Sequence, residues 1–61
     1  MPIVNLQVLG TLTDDQKREL VARFTRDLEE VAGKPPEYTY VLIHEVRRED
    51  WGHKGKRFAD M

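Results

Sequence analysis

The chain has 61 residues, with ten basic and eleven acidic side chains, a net charge of −1 and no cysteine. That balance provides no global field for nucleic acid or membrane; no apolar run approaches the ~20 residues of a span, and no signal peptide is visible, so a cytoplasmic protein is expected. Disulfides and thiolate zinc sites are excluded and two histidines make a poor metal site, so a domain that buries only ~60% of its surface is left with oligomerisation as its staple.

Pro2 follows Met1. Methionine aminopeptidase readily removes a methionine that precedes a small residue such as proline. The mature chain would then begin with the secondary amine of Pro2, a base that needs no side chain. An ordinary α-amino group titrates near ~8, and burial or a nearby cation lowers that toward the range where a general base works best. Most Met-Pro starts carry no chemistry, so the dipeptide gains meaning only from the rest of the chain.

From Ile3 to Leu9 the residues alternate: Val4, Leu6 and Val8 point one way, Asn5 and Gln7 the other, which predicts a half-buried strand. Gly10-Thr11-Leu12 makes a turn. Thr13-Asp14-Asp15-Gln16 has the form of a capping box, and its acidic pair suits the positive end of a helix dipole. Over Asp14 to about Ala32, Leu20, Val21, Phe24, Leu28, Val31 and Ala32 recur at helical spacing and predict one stripe packed on a sheet. Glu19 and Arg23 have the favourable order for an i,i+4 pair. Gly33 fits the position after a helix end, and Pro35-Pro36 forbids continuation.

Thr39 to Val46 reads as a second strand. Strand, helix and strand in that order form a βαβ unit with parallel strands and a right-handed crossover. One helix covers one sheet face; the other would present Ile3, Leu9, Tyr40 and Leu42 to water unless another subunit covers it. After Val46, two glycines flank a polar stretch consistent with a loop and a short hairpin. It holds Trp51, the one tryptophan, and five cations (Arg47, Arg48, Lys54, Lys56, Arg57) against Glu49 and Asp50. Most of these charges are expected to be solvated; together they also form a basic rim suited to a small anionic substrate. No repeat or domain boundary interrupts residues 1–61.

With these residues in view, the whole chain resembles the 4-oxalocrotonate tautomerase family. The resemblance rests on length, on Met1-Pro2-Ile3, Thr13-Asp14-Asp15-Gln16-Lys17 and the long helix, and on Val41-Leu42-Ile43-His44-Glu45, Trp51-Gly52 and the ending Gly55-Lys56-Arg57-Phe58-Ala59-Asp60-Met61. No single motif is specific, but the set in this order is. It implies an α+β fold, β-α-β with a short C-terminal hairpin, whose dimers join two sheets into one and assemble as a hexamer. It implies an isomerase without a cofactor, in which Pro2 as catalytic base shuttles a proton in an enol or dienol of a small 2-oxo acid, of 2-hydroxymuconate or phenylenolpyruvate type.

The chain departs from the family at the two arginines that bind the substrate carboxylate and polarise the keto-acid end; they fall on Leu12 and Tyr40. The family's pocket phenylalanine falls on Trp51. A leucine does not replace a bidentate guanidinium. Tyr40 can donate to an enolate oxygen, Arg47, Arg48, Lys54 or Arg57 can supply a cation from a neighbouring subunit, and His44 shares a strand face with Tyr40 by parity. The expected substrate-binding set is therefore Tyr40, Trp51, Leu12, Arg47 and Arg48. Two other functions stay open: a hydratase or dehalogenase activity of the same superfamily, which the missing arginines disfavour, and a catalytically silent oligomeric binding protein.

Overall fold

The alternation at the start of the chain becomes strand β1, Ile3–Leu9, and the capping box opens helix α1, Asp14–Ala32. Both reciprocal bonds of that box form: the Gln16 N–H donates to the Thr13 hydroxyl, and the Thr13 N–H donates to the Gln16 side chain at 2.9 Å. The helix ends on Gly33 at φ 66°, in the left-handed region that glycine enters without steric cost. The computed structural model describes all 61 residues.

Strand β2, Tyr40–Val46, lies parallel to β1 in a register that pairs Ile3 with Tyr40 and Leu9 with Val46. It begins one residue later than the sequence suggests. Pro36–Tyr38 winds into a 3₁₀ turn, and the Thr39 N–H donates to the Pro36 carbonyl instead of to a strand partner. Beyond β2 another 3₁₀ turn, Arg48–Asp50, leads to the two-residue strands β3, Gly52–His53, and β4, Lys56–Arg57, which pair antiparallel. Lys54 at φ 55° and Gly55 at φ 83° supply the two left-handed positions of a tight hairpin turn.

The helix covers Val4, Leu6, Val8, Val41 and Ile43 with Leu20, Phe24 and Leu28. Val21, Val31 and Ala32 do not belong to that stripe. Val31 is 88% exposed, because a helix face crossing only two strands is too narrow to seat every apolar residue near the stripe. The opposite sheet face carries no helix: Ile3, Asn5 and Gln7 stand exposed beside Tyr40, Leu42 and His44. Leu9 and Val46 at its far end are half-buried, so Leu9 is less open to water than the sequence suggests. Ile3 is 58% and Leu42 42% exposed, and no residue of the chain is fully buried. The accessible surface is 4934 Å², against roughly 4,100 Å² expected for a folded 7.2 kDa monomer. The radius of gyration, 14.6 Å, exceeds the ~10.5 Å of a compact chain of this length. The single chain has surface in excess and a core in deficit.

Glu45 ties the loop before the helix to the sheet. Lys17 donates to its Oε1 at 2.8 Å and the Leu12 N–H to its Oε2 at 3.0 Å. The Lys17 bond, then the Leu12 N–H, hold the Glu45 carboxyl below its ordinary range, and the same carboxylate raises Lys17. A lowered carboxyl pKa stabilises the fold above the unfolded value of ~4.3, and that contribution is lost as pH falls through the lower folded value. A raised lysine pKa stabilises the fold below ~10.4 and loses that contribution as pH rises through the folded value. Glu45→Gln should therefore flatten the decline of melting temperature between about pH 5 and pH 3, measured at fixed protein concentration. An unchanged acid limb would show that the pair does not act in stability.

Candidate active site

Pro2 stands one residue before β1. Its carbonyl accepts the Tyr40 N–H at 3.0 Å, which fixes the start of the chain against the start of β2. A proline costs nothing there, since the first residue of a strand on an open edge has no ladder bond to donate. Its ring is half-buried, while Met1 is 78% exposed. Tyr40 lies opposite Ile3 on the bare face and is 50% exposed. The structure thus brings together two of the sequence candidates, Pro2 and Tyr40, at one end of the sheet.

The others gather at the opposite end. Gly10 donates to the Val46 carbonyl at 2.9 Å, closing the far end of the strand pair. Leu12 is held beyond it, its N–H on Glu45 and its side chain half-buried. Arg47, Arg48 and Trp51 come after Val46 in the tail. Seven residues of strand at ~3.3 Å each put the two ends roughly 20 Å apart. Pro2 therefore cannot reach Trp51, Arg47, Arg48 or Leu12 of its own chain. His44 lies on the bare face beside Gln7.

The tail is built on itself, with its contacts made mostly between the Arg48–Asp50 turn, the hairpin and a last 3₁₀ turn, Phe58–Asp60. The Phe58 N–H donates to the Trp51 carbonyl at 2.9 Å. The two rings meet edge to face with centroids 6.4 Å apart, a favoured aromatic geometry. Arg48 donates to the Phe58 carbonyl at 2.8 Å and lies 5.9 Å above the Phe58 ring. Sequence reasoning gave Phe58 no part in the wall; its signal was an aromatic across a Gly-bounded hairpin from Trp51. Two open grooves, of about 490 and 270 Å³, run along α1 and include neither Pro2 nor Trp51. No helix is long and apolar enough to cross a membrane.

Comparison with known proteins gives this geometry a setting. The family model described as Tautomerase enzyme matches residues 2–61. The 2-hydroxymuconate tautomerase of Bacillus subtilis is 39% identical over 61 residues, spanning 100% of this chain and 98% of its own. Among solved structures, YwhB, a homologue of 4-oxalocrotonate tautomerase, superposes with a TM-score of 0.90 at 38% identity, covering 98% of each chain. A second 4-oxalocrotonate tautomerase homologue gives 0.89 at 34% identity, covering 100% of this chain and 97% of its own.

Proposed function

We propose that this chain, which belongs to the tautomerase family, moves a proton between the oxygen and carbon ends of an enol or dienol of a small 2-oxo acid, with the Pro2 amine as base. Removal of Met1 frees that amine. The base takes the enol proton and returns it to carbon, giving the conjugated ketone; donors and cations around it stabilise the developing dienolate. Trp51 forms an apolar wall that excludes water and disfavours the charged amine.

One observation carries the form of the site. Pro2 and Tyr40 lie at one end of the sheet and Trp51 with its arginines at the other, so base and wall must come from different subunits. The uncovered sheet face and the absence of any fully buried residue support the same assembly, which we propose to be a hexamer of three dimers acting in the cytoplasm. In this reading Tyr40, half-exposed beside Pro2, donates to the enolate oxygen, and Leu12 adds apolar surface where the family has a cation.

The test is a pH–rate profile with 2-hydroxymuconate and phenylenolpyruvate on protein confirmed by mass to lack Met1. The rate should rise with pH through a single ionisation below the ~8 of an ordinary terminal amine, because only the unprotonated amine accepts a proton. The site lacks the family's cations at Leu12 and Tyr40, so burial is the main cause of that depression and it should be modest. No turnover of either substrate by the processed protein would leave the silent binding protein as the reading.

A further inference from the structure

Five cations crowd the tail, and the structure separates them by what already holds them. Arg47 binds Asp50 at 2.9 Å and Glu49 at 3.5 Å. Arg57 grips both oxygens of Asp60 at 3.0 Å. These carboxylates raise the pKa of each guanidinium, the Asp50 and Asp60 hydrogen bonds contributing most. An incoming carboxylate would have to displace an acid fixed three residues away on the same turn. Arg48 differs: no carboxylate pairs with it. One of its five N–H donors goes to the Phe58 carbonyl, and its plane rests near the Phe58 ring beside Trp51. Its position is fixed by neutral partners, and its charge and remaining donors are left for an anion. Lys54 and Lys56 carry mobile point charges at the hairpin, without the planar fork that matches a carboxylate.

We propose that Arg48 is the guanidinium that binds the substrate carboxylate, and that with Trp51 and Phe58 it makes the site one for monocarboxylates with an apolar remainder. This rests on the proposed function, in which the tail of one subunit completes the Pro2 end of another. One unpaired guanidinium beside two aromatic rings matches one carboxylate and a flat hydrocarbon. A second carboxylate would face the Trp51–Phe58 wall and lose hydration without a partner.

Binding without turnover tests this apart from the chemistry. Sorbate, methyl sorbate and muconate share one dienoate frame and differ in charge, and Trp51, the one tryptophan, reports their binding by fluorescence. Wild-type protein should bind sorbate at least as tightly as muconate. Arg48→Ala should weaken sorbate roughly ten-fold or more while leaving methyl sorbate unchanged, since the ester offers no charge to lose. Arg48→Lys should recover part of the difference, Lys56→Ala should stay within about two-fold of wild type, and Arg47→Ala and Arg57→Ala should each cost less than Arg48→Ala. Equal weakening of acid and ester in Arg48→Ala would reduce Arg48 to a structural brace of the tail. A larger loss in Arg47→Ala or Arg57→Ala, or tighter binding of muconate than sorbate, would overturn the assignment. Each outcome holds whether or not Pro2 proves to be the base.

Discussion

Acylating the Pro2 nitrogen, or retaining Met1 on it, is expected to lower the tautomerisation rate by about 10²–10⁴-fold, the usual contribution of a positioned general base. Either modification turns a secondary amine into an amide whose lone pair is delocalised and no longer basic. The backbone tolerates it: the Pro2 carbonyl keeps its bond from the Tyr40 N–H, and Met1 extends into solvent. Fold and assembly should be unchanged, which separates this result from a stability effect. Pro2→Ala is a weaker test, because the processed variant still offers a primary amine. Activity that survives quantitative acylation would rule out the proline mechanism.

Assembly should be as sensitive to the bare sheet face as chemistry is to Pro2. Leu42→Lys places an ammonium beside Ile3, Asn5 and Tyr40, where a second subunit would have to bury it without a partner. That cost is several kcal/mol, on the order of the whole 5–15 kcal/mol that stabilises a typical domain. The variant should lose the oligomer and, with it, cooperative folding. Val31→Lys, on a residue already 88% exposed, should do neither. In the wild type, dilution should lower the melting temperature because folding and association are linked. A stable folded monomer of 7.2 kDa would contradict this account of the fold.

Most of the architecture was legible because local rules and global fold agree in this chain. The Thr13–Gln16 box, the glycine at 33 and the alternation of Val4, Leu6 and Val8 each specify an element that the structure contains, and the strand–helix–strand order carried the parallel strand pair. The start of β2 was not legible, because Pro35-Pro36 announces a break without saying that a 3₁₀ turn will take the Thr39 N–H. Val21 and Val31 were misplaced since helical spacing alone does not tell how wide a face the sheet offers. At the site, Pro2 was readable as a chemical type. Its distance from Trp51 was not, since it arises from both strands running the same way from the Pro2 end. The ranking of the arginines depended on which side chains meet across tight turns, information that no charge count contains. Lys17 and Glu45, 28 residues apart, are a long-range pair of the same kind.

The central claim is that Pro2 of one subunit works against the Trp51–Arg48 tail of another, and mixed assembly tests it most directly. One parent chain carries an acylated Pro2 and an intact tail; the other carries an intact, processed Pro2 and the changes Arg48→Ala and Trp51→Ala. Each homogeneous oligomer should be nearly inactive on phenylenolpyruvate. Unfolded together in equal amounts and reassembled, they should recover about a quarter of the wild-type rate, the statistical share of sites that take both intact halves from different chains. A mixture no more active than the average of its parents would place base and wall in the same subunit and contradict the account.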